Sequence, residues 1–223
     1  PIITNCSFVG NYCLLNESGG GAIFNRGSSP SIINCVFSGN SGGLAGGGIY
    51  NVRSVGGFGG SIITNSSPLI MNCTFSGNSA SNGGGIFNGA NGTPTMTNCI
   101  LWNNKDNSGT GTATASIYNF EPSPVITYSL VQGQNPAGAG NLDGTNVVNN
   151  PLFVTVVDPN TAPTTAGDLH LQCGSPAINS GTNTGAPSTD IEGNPRALTV
   201  ANPTDMGAYE MQGSCTQSTS TTI

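Results

Sequence analysis

A right-handed parallel β-helix, an all-β solenoid, is the fold that this 223-residue sequence predicts. Three observations predict it. Short apolar segments recur at a steady interval, glycine and asparagine punctuate them where charge is normally found, and no long stretch carries helical periodicity.

Composition narrows the class first. Only 6% of residues are charged, against roughly 25% in an ordinary soluble domain. Glycine, Asn, Ser and Thr take their place, which suits either a disordered chain or a solenoid with uncharged turns. Regularly spaced Ile, Val, Phe and Cys decide for the solenoid, because a disordered chain lacks such core formers. The net charge of -6 sets ten acids against four bases, Arg26, Arg53, Lys105 and Arg196. No basic stripe exists to neutralise phosphates, so nucleic acid is not an expected partner. No stretch approaches the roughly 20 apolar residues of a membrane-spanning helix, so this segment is not expected to insert into a bilayer. The chain starts in mid-repeat at Pro1, and continuation of the same polypeptide at the N-terminal end is expected.

One cassette carries the repeat: an apolar strand, Asn-Cys, a second apolar strand, then Gly-Asn. It reads PIITNCSFVGN from Pro1, PSIINCVFSGN from Pro30 and PLIMNCTFSGN from Pro68, then loosens to PTMTNCILWNN from Pro94 and PVITYSLVQ from Pro124. The starts lie 29, 38, 26 and 30 residues apart, the long interval holding an insertion at 52–67. Between cassettes sit GGGAIFN, GGGIYN, GGGIFN and ASIYN, ending at Asn25, Asn51, Asn88 and Asn119. These predict a third wall whose Ile is buried and whose glycines fit a tight corner. Coils are expected over 1–150, a C-terminal cap over 151–213 and a Ser/Thr-rich linker over 214–223.

The asparagine of Asn-Cys has a mechanical reading. In PTMTNCIL, Met96 must point inward and Thr97 outward, and both Cys99 and Leu101 must return inward. Strict alternation would place Cys99 outside. A left-handed residue between two strands corrects the parity, and Asn tolerates positive φ better than most residues. Asn5, Asn34, Asn72 and Asn98 are therefore expected to stack as a ladder, their amides bonding along the axis. Cys6, Cys35, Cys73 and Cys99 share the next slot and read as small buried core residues. Metal ligands placed one per coil would form a line rather than a tetrahedron.

After about Leu130 the rhythm fades, and DLHLQCGSPAINSGTNTGAPSTDIEGNPRALTVANPTDMGAYEMQ from Asp168 to Gln212 is different in kind. Its Pro176, Pro187, Pro195 and Pro203 stop strand pairing. Ile178, Ile191, Met206 and Tyr209 are expected to cover the last coil. Arg196 is the one base within reach of Asp190, Glu192, Asp205 and Glu210, so a charge-assisted bond is expected to fix the loop. Calcium held by Asp168, Asp190 or Asp205 is the rival reading, and no cofactor is otherwise expected.

This segment resembles the conserved end of bacterial choice-of-anchor Q domain proteins, where SPAI(N/D)xG, GNPR and DMGAYE elements close a right-handed β-helix. The matching residues are Ser175 to Asn179 with Gly181, Asp190 with Gly193 to Arg196, and Asp205 to Glu210. The upstream coils are similar to repeats of polymorphic outer-membrane proteins. The resemblance implies an exported bacterial protein, at the cell surface or secreted. Such a compartment permits Cys173 and Cys215 to pair as a disulfide.

Function is the less legible part. A structural or adhesive module is one reading, displaying polar uncharged walls to a glycan or protein surface with Tyr12, Tyr50, Trp102 or Tyr118 as stacking platforms. The alternative is a carbohydrate-active enzyme, a polysaccharide lyase or glycoside hydrolase. A hydrolase needs paired carboxylates at fixed separation. Glu17, Arg26, Arg53, Lys105, Asp106, Glu121 and Asp143 neither recur nor cluster, so they read as turn charges, and His170 between Leu169 and Leu171 reads as a strand-surface residue. No catalytic residue is assigned.

Overall fold

The computed structural model describes residues 1–13, 19–57, 62–120 and 122–213. It is a parallel β-helix with three walls. The first wall stacks Ile2–Thr4, Ser31–Ile33, Leu69–Met71, Thr95–Thr97 and Val125–Thr127. The second stacks Ser7–Val9, Val36–Ser38, Thr74–Ser76, Ile100–Trp102 and Leu130–Val131. Ile23–Arg26, Ile49–Val52, Ile86–Asn88 and Ile117–Asn119 make the third. Every neighbouring pair in these walls is parallel and in register.

Register turns the repeat into columns. Ile3, Ile32, Ile70, Met96 and Ile126 stack from the first wall, and Phe8, Phe37, Phe75, Leu101 and Val131 from the second. Ile23, Ile49, Ile86 and Ile117 close the core from the third. The three phenyl rings stack nearly parallel, with centroids 4.9 and 4.4 Å apart. Each such side chain, fully buried, contributes roughly 1.5–3 kcal/mol, so these columns supply most of the cohesion.

Corners are where the sequence works hardest. Asn5, Asn34, Asn72 and Asn98 hold φ of 54, 59, 48 and 54°, as the parity argument requires. In the fifth coil Tyr128 takes the same slot at φ 47°, and Ser129 replaces the cysteine. The second corner repeats the device with Gly10, Gly39, Gly77 and Asn103, again all at positive φ. The third corner uses glycine for space: a Cβ on Gly47 would lie 2.4 Å from the carbonyl oxygen of Gly84 in the next coil.

Two asparagine columns run unbroken through the fold. Asn40 Oδ1 accepts from both the backbone N–H and Nδ2 of Asn11, at 2.9 Å each. Asn78 Oδ1 accepts from Asn40 in the same way at 3.0 and 2.8 Å, and Asn104 Oδ1 from Asn78 at 3.1 and 2.9 Å. At the end of the third wall, Asn25, Asn51, Asn88 and Asn119 join amide to amide at 2.8, 2.8 and 2.7 Å.

Within the 52–67 insertion, Ser54–Gly56 pairs antiparallel with Ile62–Thr64. The fifth coil is covered by a partial sixth rung. Leu142 bridges Leu130, and Asn141 accepts from Ser129 N–H at 2.9 Å while donating to the Ile126 carbonyl at 2.8 Å.

The C-terminal segment corrects one expectation. It does not lie across the last coil but folds back along the outer face of the second wall. Asn103 Nδ2 holds the Val157 carbonyl at 2.7 Å, Val157 fills the space that a Cβ on Gly77 would take, and Thr164 N–H reaches the Gly39 carbonyl at 2.9 Å. The chain thus descends past the fourth, third and second coils in turn. Phe153–Thr155 pairs antiparallel with Asp168–Leu171. Phe153, Val157, Leu169, Leu171, Met206 and Ala208 form a second core with the outward residues Val36, Ile100, Trp102 and Leu130. Met206 is buried there, Ile178, Ile191 and Tyr209 pack against it, and all four cover a flank.

Asn78 sits mid-ladder and is fully buried. Asn78→Ala strands donors and acceptors in two neighbouring coils, and each costs about 1–3 kcal/mol. Urea denaturation should show a loss of about 3 kcal/mol for Asn78→Ala but about 1 kcal/mol or less for Asn11→Ala at the exposed end. Equal losses would mean that the column does not couple the coils.

Candidate ligand-binding surface

The third wall presents the ligand candidates. In each I(F/Y)N segment the Ile and Asn point inward, leaving the aromatic residue outward. Parallel register then stacks Phe24, Tyr50, Phe87 and Tyr118 in one outer column. Neighbouring centroids lie 5.2, 5.0 and 5.1 Å apart, and Phe120 joins at 5.9 Å from Phe87 and 5.7 Å from Tyr118. Phe24 and Phe120 are about half exposed, at 48% and 50%, while Phe87 is covered by its neighbours. The Tyr50 ring packs directly over Gly19, where a Cβ would come within 2.0 Å of it. Tyr50 and Tyr118 are thus brought together. Phe24 and Phe87 share one slot of the repeat with Tyr50 and Tyr118, a signal in the sequence that could have placed them in the same column, whereas Phe120 lies outside the repeat.

Trp102 does not join them. It lies on the outer face of the second wall, 7% exposed under the C-terminal segment, so its ring faces cannot serve as a stacking platform. Tyr12 is exposed at the second corner, bridged to Ser41 and away from the column.

The expected Asn-Cys ladder is present in two halves. Asn34 Nδ2 donates to Asn5 Oδ1 at 2.7 Å, and Asn98 Nδ2 to Asn72 Oδ1 at 3.2 Å. Between them the C-terminal segment intervenes. Arg196 Nη2 donates to Asn34 Oδ1 at 2.8 Å, and Asn72 Nδ2 turns to the Asp205 carbonyl at 3.5 Å. Asn98 exchanges bonds with Thr182, 2.8 Å each way.

Arg196 is the hub of this junction. Its Nη1 pairs with Glu210 Oε2 at 2.8 Å, both side chains being almost wholly buried, and its Nη2 also reaches the Gly207 and Ala208 carbonyls. Burial lowers the Arg196 pKa, while Glu210, Asp190 and Asp205 oppose that shift. Asp190 accepts from the backbone of Glu192, Asn194 and Glu210. Asp205 accepts from Asn179 and Met211 N–H at 2.7 Å each. Removing one partner of such a buried pair costs about 3–5 kcal/mol, because the other charge is left uncompensated.

Tyr209 packs on His170 with ring centroids 4.1 Å apart. His170 Nδ1 lies 2.6 Å from Asp168, and Nε2 lies 3.1 Å from Glu192. Burial alone would lower the His170 pKa, but these two carboxylates outweigh it and hold the imidazole above its ordinary value.

The cysteines fill the core slot. Cys35, Cys73 and Cys99 are completely buried and direct their thiols at the carbonyls of Ile33, Met71 and Thr97, at 3.2 Å each. Cys6 stands at the open end, its thiol 3.1 Å from the Thr4 carbonyl. Burial pushes the Cys99 thiol up to about 12, far from a reactive thiolate at neutral pH. Cys173 is disulfide-bonded. Its expected partner Cys215 and the expected linker 214–223 lie outside the described residues, as do Glu17 and Glu121.

Lys105, Asp106 and Asp143 serve turns, whereas Arg26, expected as a turn charge, lies in the third-wall strand Ile23–Arg26. Lys105 Nζ donates to Asn160 Oδ1 at 2.8 Å, Asp106 Oδ1 accepts Ser108 N–H at 2.8 Å, and Asp143 Oδ1 accepts Thr145 N–H at 2.9 Å. Among the described residues, no three His, Cys, Asp or Glu side chains are placed to hold a metal ion. The oxygens of Asp168, Asp190 and Asp205 are instead engaged as above.

Asp205 gives this junction a pH signature. Burial, the largest influence, raises its pKa to about 6, and the two N–H donors only partly oppose that. The unfolded chain titrates near 3.9. A raised folded pKa means that the contribution is present below about pH 4 and is lost as pH rises to about 6. Relative to Asp205→Asn, the wild type should lose about 2–3 kcal/mol between pH 4 and pH 6.5 in urea denaturation. A flat or rising difference would show that the carboxyl is not held in a desolvated state.

Comparison with protein-family models finds no match to this chain, and comparison with curated protein sequences finds none either.

Proposed function

We propose that this chain is a structural and adhesive module of an exported bacterial protein, at the cell surface or secreted, of the choice-of-anchor Q kind that its C-terminal segment resembles. The observation that carries the reading is the outer aromatic column of the third wall. Four rings in one register, with Phe120 beside them, make a strip that an extended ligand can follow from coil to coil. Aromatic faces suit a glycan or a protein surface, and the exposed Arg26, on the same strand face as Phe24, places one positive charge at that end of the strip. The disulfide at Cys173 supports an oxidising compartment. The motifs behind the resemblance supply the buried Arg196 junction, which supports a closing role for that segment over any catalytic one.

The test is retention of the purified chain on glycan arrays and on bacterial or host-cell surfaces. Tyr50→Ala combined with Tyr118→Ala should weaken binding about tenfold, since each aromatic contact is worth about 0.5–1.5 kcal/mol beyond area burial. Absence of binding to every surface would end the adhesive reading.

A further inference from the structure

The fourth and fifth coils carry a cleft that belongs neither to the aromatic column nor to the Arg196 junction. It has a volume of about 570 Å³ and is lined by Trp102, Gln132, Asn146, Val147, Asn150 and Val156, among others. That volume falls within the range of roughly 300–1,000 Å³ that small-molecule sites occupy. Its lining contains no charged side chain.

Hydrogen bonding inside the cleft commits most of the amide oxygens, the exception being Asn103, whose Nδ2 donates to the Val157 carbonyl and leaves Oδ1 as an acceptor. Gln132 Oε1 accepts the Asn103 N–H at 2.6 Å, Asn146 Oδ1 accepts Val148 N–H at 3.1 Å, and Asn150 Oδ1 accepts Leu152 N–H at 2.9 Å. A backbone N–H can bond only to the amide oxygen, so each contact fixes the amide and turns its NH₂ away from that contact. Three acceptors are therefore committed within the protein, while the three NH₂ groups bond to none of the described residues.

Trp102 adds a fourth donor. The residue is 93% buried by its 7% exposure, yet its indole N–H has no partner among the described residues. Two polar side-chain atoms are sealed in without a partner, Ser76 Oγ and Arg196 Nε, and the indole nitrogen is not one of them. The indole N–H is therefore not sealed from solvent, and the cleft is lined by the residue that carries it. A buried tryptophan ordinarily satisfies this donor. Val147 and Val156, 85% and 49% exposed, flank the donors with apolar surface.

We infer that this cleft binds a neutral oligosaccharide. Three amide donors and the indole N–H, set against the one free amide oxygen of Asn103, call for a ligand rich in hydroxyl and ether oxygens. The valines suit the apolar face of a sugar ring. An anionic ligand would find no cation here, and Asp143 stands beside the cleft, held by Thr145. The inference does not rest on the third-wall column, and the two surfaces can be tested apart.

Trp102 is the only tryptophan in the sequence, so its emission reports on this cleft alone. The chain is titrated with tri-N-acetylchitotriose, maltotriose, cellotriose and mannotriose, following heat and tryptophan emission together, with trigalacturonate as an acidic comparison. The expected result is that at least one neutral trisaccharide gives heat and a saturable emission change with the same midpoint. Trp102→Phe, which keeps the ring packing and deletes the donor, should weaken that binding about tenfold, or about 1.4 kcal/mol. Val147→Lys, at an exposed position that folding does not need, should weaken it at least as much. Heat without an emission change, abolished by Tyr50→Ala, would overturn the cleft and leave the column standing. Preference for trigalacturonate would overturn the neutral class, and no response to any neutral trisaccharide would overturn the inference outright.

Discussion

An asparagine buried at the corner of a coil carries an amide that only the next coil can satisfy. Nearly every other feature of the fold follows from that constraint. Apolar columns such as Phe8–Phe37–Phe75 hold the coils together, but a slipped coil could still bury much of the same surface. The amides cannot slip. Asn78 Oδ1 must meet both donors of Asn40, and its own NH₂ must meet the Phe37 carbonyl and Asn104. Each bond nets only about 0.5–1.5 kcal/mol, yet each orphan would cost about 1–3 kcal/mol. The ladders therefore fix register where burial alone would tolerate error.

The C-terminal segment uses the same currency of hydrogen bonds. The Asn-Cys corner is the one place where the ladder opens, and Arg196 enters there to take Asn34 Oδ1. A guanidinium buried beside Asn34 needs a counter-charge, which Glu210 supplies, with Asp190 and Asp205 close enough to be felt electrostatically. The residues that distinguish this segment in the sequence are thus those that lock it to the coils. One consequence is that the segment covers the second wall from the second coil to the fourth, while the first strand, Ser7–Val9, stays partly open.

The walls, their register and the positive φ of the Asn-Cys corner were legible because each rests on a repeated local pattern. The two unbroken ladders rest on patterns just as regular, the Asn of FSGN and of I(F/Y)N, and parity would have placed both inside. The flank position of the C-terminal segment was not legible. It depends on contacts such as Thr164 with Gly39 and Arg196 with Asn34, between residues more than a hundred positions apart and present once each. The burial of the Trp102 ring was not legible for the same reason, since its strand position points outward and only the distant segment covers it. Tyr128 shows the limit of the cassette rule: the fifth coil keeps the left-handed corner without the asparagine, its N–H held by the Ala139 carbonyl at 2.8 Å.

The most direct test of the register account is solvent exchange of the asparagine side chains, observed by NMR. If the ladders couple the coils, the Nδ2 protons of Asn40, Asn51, Asn78 and Asn88 exchange as slowly as the backbone amides of the walls, since releasing them requires the coils to part. Exchange as fast as that of surface amides, with the wall amides still protected, would contradict it: the coils would then be held by apolar columns alone, and the asparagines would be passengers at the corners.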